Sequence, residues 1–275
     1  MVTSIDVRKI FYTKKFDEVG INSASTFFGF CNNHDTTVFS EIENLDYNKT
    51  LEQNFLYAYR ACALEYVKKT EACNHQKNMI KRYRNSQYYD MLNFILISTQ
   101  QGFKEISEFL EIFSVEFKKP KSNRNLNIIN TRIFYLPYES LIAVNSLLTI
   151  HYDFQEVLIN DLSDPSRRPA PIFLNVFPQK GKTIILFSYL SVDINVYKSI
   201  LSELGTFSNS KIEHFFSNLI IVHCENLFMS PQKYNNIPNK MRKLIVSKFI
   251  KTITKPPQPD YLSQGSPNLF KYLKK

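Results

Sequence analysis

Two adjoining runs of apolar residues spaced three and four apart fill about seventy consecutive positions, and any fold for this chain has to house them. The first, from Thr50 to about Arg84, carries Leu51, Phe55, Ala58, Tyr59, Cys62, Leu64, Tyr66 and Val67 at those intervals. Thr50-x-x-Gln53 fits a capping box at its start. The second, from Ser86 to Phe117, carries Tyr89, Leu92, Phe94, Ile95, Ile97, Phe103, Ile106, Phe109, Leu110, Phe113 and Phe117, with Gly102 as a place to break or bend. Together they predict a long helical hairpin. The basic segment Lys118-Lys119-Pro120-Lys121-Ser122-Asn123-Arg124-Asn125 closes it as a solvated linker.

The pattern changes after residue 127. Arg132–Leu136, Leu141–Tyr152, Pro171–Phe177 and Thr183–Leu190 are rich in β-branched and aromatic residues and predict strands. Gln179-Lys180-Gly181-Lys182-Thr183 is read as a hairpin turn, because Val176 stands where a Walker loop needs its first glycine. Asn195–Leu204 is a helix stopped by Gly205, Ile212–Val222 is helix or strand, and Lys240–Ile253 is an amphipathic basic helix ended by Pro256-Pro257. The last eighteen residues read as loop and tail. Ahead of the hairpin, Arg8–Lys15 and Thr26–Phe30 read as two strands, and Asn33 or Asp35 as the N-cap of a helix through Glu43. The predicted class is α+β: an N-terminal ββα zinc-finger-like piece (1–49), a central helical hairpin (50–125) and a C-terminal mixed β-sheet with helices (126–275).

A 44% apolar and 21% charged composition belongs to a chain that builds a core. No apolar stretch approaches the roughly 20 residues that span a bilayer, so no membrane contact is expected. Four Cys and a charged Met1–Lys9 start point to a reducing, cytoplasmic setting. The net charge of +9 is lodged at one end: Met229–Lys275 holds ten basic residues and one acid, which leaves the rest balanced at 24 of each. A neutral body with a cationic end suits a polyanion such as RNA or DNA, although such a tail also aids solubility. Lys240, Arg242, Lys243, Lys248 and Lys251 are the candidate contacts on the predicted basic helix. Lys81, Arg82 and Arg84, interleaved with Tyr83, Tyr88 and Tyr89, could hold a single strand by charge and stacking, or simply face solvent. The aromatic stripe from Tyr89 to Phe117 is the expected dock for a protein partner or a second copy.

The candidate metal ligands are Cys31 and His34, at Cys-x-x-His spacing, with Cys73 and His75 as a second pair. Thiolate and imidazole at roughly 2.0 to 2.3 Å give the tetrahedral field that zinc prefers. The alternative is that Cys31 is a small buried hydrophobe. His223-Cys224-Glu225 reads as the end of a core strand, where neighbours point to opposite faces and cannot pair as nucleophile and base. His151, Asp153 and Glu156 offer a possible base near a strand end. Arg60 and Glu65 read as a helix ion pair or a buried anchor.

The run Gly20-Ile21-Asn22-x-Ala24-Ser25-Thr26-Phe27-x-Gly29-Phe30-Cys31-x-x-His34-Asp35-x-x-x-Phe39-x-x-Ile42-Glu43, followed by Phe55-Leu56-x-Ala58-Tyr59-Arg60-Ala61, resembles a group of uncharacterised bacterial proteins of phage-defence or mobile-element cargo. Those commonly carry an upstream Cys/His ribbon, HNH-like or zinc-ribbon in character, whose ligands have no counterpart here. The resemblance covers residues 18 to 66. Together with the +9 lodged after residue 228, it leads to the expectation of a bacterial defence or toxin-type effector that contacts nucleic acid. The other expectations are a non-catalytic accessory protein and a metal-dependent nuclease using His34 or His151. An HNH-type nuclease would lack the histidine that ends the module's first strand.

Overall fold

The change of pattern after residue 127 is a change from helix to sheet. The structure is a computed structural model that describes residues 1–20, 38–164, 166–263, 265 and 267–275. Among the described residues seven strands, β1 (Val2–Ser4), β2 (Asp17–Val19), β3 (Ile129–Leu136), β4 (Ile142–Leu148), β5 (Ile172–Gln179), β6 (Lys182–Leu190) and β7 (Leu227–Met229), form one antiparallel sheet in the order β2-β1-β7-β4-β5-β6-β3. With helices on it, the sheet makes a mixed α+β protein. Residues 180 and 181 between β5 and β6 both have positive φ, 50° and 77°. That is the primed turn whose twist matches the flanking strands, and Gly181 takes the more demanding position without a Cβ clash.

The central strands are buried on both faces, which explains why β5 and β6 are continuous apolar runs. Ile172, Leu174 and Val176 face one core, and Phe173 faces another. Over the first face lie α5 (Ile194–Leu204), α6 (Asn209–His223), α8 (Asn239–Thr254) and α9 (Leu269–Tyr272), helices being numbered over the described residues. Helix α6 buries Ile212, Phe215, Phe216, Leu219, Ile220 and Ile221, so the segment left open between helix and strand is a helix apolar nearly all round.

The predicted hairpin covers the other face as α3 (Leu51–Arg82) and α4 (Tyr89–Lys118). Thr50 Oγ1 accepts the Gln53 N–H at 3.1 Å, one half of the capping box. The Gln53 amide turns to the preceding loop instead: its oxygen accepts from Asn48 N at 2.7 Å and its NH₂ donates to the Asp46 carbonyl at 2.9 Å. The half of the hairpin nearer the sheet is packed. Tyr59 stacks on Phe113 at 5.5 Å and 9°, and Phe113 meets Phe173 edge-on at 5.2 Å. Arg124 locks the base of the hairpin. It pairs with Glu52, donates to the Phe117 carbonyl at 2.9 Å and lies 4.2 Å over the Phe117 ring. The outer half leaves Met91, Phe94 and Ile97 55%, 72% and 65% exposed. Helix α4 runs through Gly102 without a break.

Two expectations are corrected. Residues 8–15 are not a strand: Val7–Thr13 is helix α1, started by Asp6, whose carboxylate accepts the Lys9 N–H at 3.3 Å. Among the described residues near the start, strands β1 and β2 belong to the large sheet. The last eighteen residues are not a loose tail. Leu269, Phe270 and Leu273 are fully buried, and Leu141 N donates to the Leu273 carbonyl at 2.7 Å. The expected strand Thr26–Phe30 lies outside the described residues, and the helix at Ser40–Glu43 (α2) is one turn long. Among the described residues no helix is long and apolar enough to cross a membrane.

Candidate nucleic-acid interface

Helix α8 is the predicted basic helix, and its apolar stripe decides which cations can reach a partner. Ile245, Val246 and Phe249 are buried. Arg242, Lys243, Val246, Ser247, Ile250 and Lys251 then line one side of a groove of about 900 Å³. The opposite wall is the turn from α1 to β2, with Lys14, Lys15, Phe16, Asp17 and Glu18. Phe16 holds that wall in place. It is buried, stacked on Tyr234 of α7 (Pro231–Asn235) at 5.5 Å and 18°, with Phe249 edge-on at 6.4 Å. Lys14 closes α1 in the left-handed region, φ 51°, with its N–H on the Ile10 carbonyl at 3.0 Å.

The groove thus gathers five basic side chains from two ends of the chain against two acids. Glu18 is engaged by Asn235 Nδ2 at 3.1 Å, and Asp17 has the Lys9 ammonium 3.8 Å away. Arg242 is held over the Tyr234 ring, 5.9 Å from its centroid. Lys14, Lys15, Lys243 and Lys251 are exposed. Tyr12, 88% exposed, precedes the groove residues in the chain and does not line the groove.

Of the predicted cationic contacts, Arg242, Lys243 and Lys251 line the groove. Lys240 is exposed in the first turn of α8. Lys248 turns toward the C-terminal segment, where its ammonium donates to the Gly265 carbonyl at 3.1 Å, and burial lowers its pKa. Lys81, Arg82 and Arg84 sit at the hairpin tip and do not line the groove. Lys14 and Lys15 were missed. Their signal was a lysine pair beside a phenylalanine, which only the fold joins to α8.

The predicted metal set divides. Cys31 and His34 lie outside the described residues. Cys73 and His75 share helix α3 two residues apart, about 200° around its axis. Cys73 is buried and His75 exposed, so the helix does not bring them together. Among the described residues no group of three or more His, Cys, Asp or Glu could hold a metal ion.

His223 is the last residue of a helix, not a strand residue, and Cys224 beyond it is sealed, its thiol pushed up to about 12 by burial. The fold does join two histidines that the sequence keeps apart. His151 stacks on His223 with centroids 6.2 Å apart and planes at 10°. Burial lowers both pKa values, that of His223 to about 3, and His223 Nε2 lies 3.2 Å from the Tyr261 hydroxyl. Arg60 pairs with Glu43 at 2.8 Å and not with Glu65. Glu65 lies 3.9 Å from Lys69, its pKa raised by burial. Compared with family models, curated proteins and solved structures, the chain matches none.

Proposed function

We propose that this protein binds single-stranded nucleic acid, RNA or DNA, in the groove between α8 and the α1–β2 turn. The supporting observation is the convergence of Lys14, Lys15, Arg242, Lys243 and Lys251 on one concave surface. A groove with lysines on both walls follows a flexible phosphate chain. The resemblance of residues 18–66 supports placing that contact in a defence or toxin-type role. With five phosphates neutralised, log K should fall with log salt at a slope of about −3.5. Fluorescence anisotropy with a labelled oligonucleotide between 50 and 300 mM salt (roughly the range over which phosphate contacts show) measures it. The double variant Lys243→Glu/Lys251→Glu should abolish binding. A flat salt response, or an unchanged affinity in the variant, overturns the reading.

A second reading is favoured by the outer hairpin, where Met91, Phe94 and Ile97 remain exposed on α4. Here the hairpin docks a protein partner or a second copy of the chain. Light scattering of wild type and Phe94→Glu tests the second copy: a dimer that the variant dissolves supports it, and a monomer in both removes it.

A further inference from the structure

One face of helix α4 changes surroundings along its length. Phe94, Ile97, Gln101, Glu105 and Phe109 recur at intervals of three and four, which puts them on one side of the helix. At the inner end Phe109 is buried, with the Arg168 guanidinium 5.5 Å over its ring. At the outer end Phe94 and Ile97 stand in water. Along this face runs a cleft of about 630 Å³. Leu162, Arg167 and Pro169, from the loop between β4 and β5, form its far wall.

The apolar surface left open here is large. Met91, Phe94, Ile97 and Leu162 are each between 51% and 72% exposed. At roughly 200 Å² for a large side chain, they leave about 500 Å² in water, a patch of the size that marks an interaction site. Covering it on two copies at once removes about 1,000 Å², the area at which an interface becomes specific.

Charge decides between the partners. The chain carries +9, so two copies repel one another over much of their surface. The cleft is different. Among the described residues that line it, Lys69 lies 3.9 Å from Glu65 and Arg167 3.3 Å from Asp164, while Glu105 accepts from Gln101 Nε2 at 2.9 Å. Each cation has an acid beside it, which disfavours a polyanion. The acids are already engaged, which weakens the pull on a basic peptide. A balanced apolar surface is matched by an equal one, and a two-fold axis supplies it. Phe94 stands exposed at the lip of the cleft, so each copy offers both a projection and the hollow that receives it.

We infer that this cleft is a dimer interface: two copies pair about a two-fold axis, and Phe94 of each enters the cleft of the other between Ile97 and Leu162. The inference rests on the second reading above and names the partner and the far wall which that reading leaves open. The cleft shares no lining residue with the basic groove, so pairing leaves the groove of each copy accessible.

Sedimentation velocity over a range of concentrations tests it on wild type, Phe94→Glu, Leu162→Glu and Tyr12→Glu. Wild type should approach twice the monomer mass. Leu162→Glu should weaken the pair as much as Phe94→Glu does, roughly tenfold or more, although the two positions lie on different walls. Both are more than half exposed in the single chain, so neither substitution enters the core. Tyr12→Glu, at an exposed position outside the cleft, should pair as wild type does. A monomeric wild type overturns the inference and leaves the hairpin only a foreign protein to dock. A pair that Phe94→Glu dissolves and Leu162→Glu leaves intact also overturns it, but keeps the hairpin as the contact. A pair that withstands both variants, or that Tyr12→Glu dissolves, overturns the inference and the second reading together.

Discussion

Acid should destabilise this protein well before its carboxylates protonate, and His223 is the reason. In the unfolded chain its ring takes a proton near pH 6.5, whereas in the folded protein burial holds the ring neutral down to about 3. Below pH 6.5 the unfolded state therefore binds more protons, and stability falls as pH falls, by about 1.4 kcal/mol per pH unit. Between pH 6.5 and 5.0 that amounts to about 2 kcal/mol from one residue. The position at the end of α6 works the other way, since a helix C-terminus favours imidazolium by ~0.3–1 kcal/mol. The displacement from 6.5 to about 3 corresponds to roughly 5 kcal/mol, so desolvation wins. His151, stacked against it and also lowered by burial, adds loss of the same sign. Urea unfolding of wild type and His223→Phe at pH 7.5 and 5.0 measures the effect. The variant keeps a ring against His151, loses the Tyr261 contact, and should show a pH dependence smaller by about 2 kcal/mol over this interval. Parallel losses in the two proteins would refute the argument.

Arg124→Ala leaves the Glu52 carboxylate, 16% exposed, without its partner and should cost about 3–5 kcal/mol, read as a fall in the urea midpoint. Phe270→Ala opens a cavity in a fully buried site and should cost ~3–5 kcal/mol by the same assay, a loss that a loose tail would not show. Gly181→Ala puts a side chain at φ 77° and should cost about 1 kcal/mol, although the space around it is open.

What was legible in the sequence was local. The hairpin could be read because its two helices repeat apolar residues at the helical period over many turns, and the Lys180-Gly181 turn because Gly181 suits an angle that few other residues favour. Helix α1 was misread because seven residues give too few periods to separate helix from strand, and the Asp6 cap passed unnoticed. The C-terminal segment was misread because its buried apolar residues are brief anchors, Tyr261 and Leu262 at one spot, Leu269 and Phe270 at another and Leu273 at a third. The candidate sites were half legible. Charge counting located α8, but Lys14 and Lys15 reach it only through Phe16 on Tyr234. The paired histidines come from segments far apart in the chain, and nothing in local pattern encodes their meeting.

Strand β1 has its partner on the inner side in β7, with Thr3 opposite Met229. The first strand of the sheet therefore cannot be seated until a segment more than two hundred residues further along has emerged and folded. Closing so long a loop comes late and slowly. The α1–β2 wall of the groove, carried on the β1–β2 ribbon, is therefore seated on the sheet only after β7 has formed.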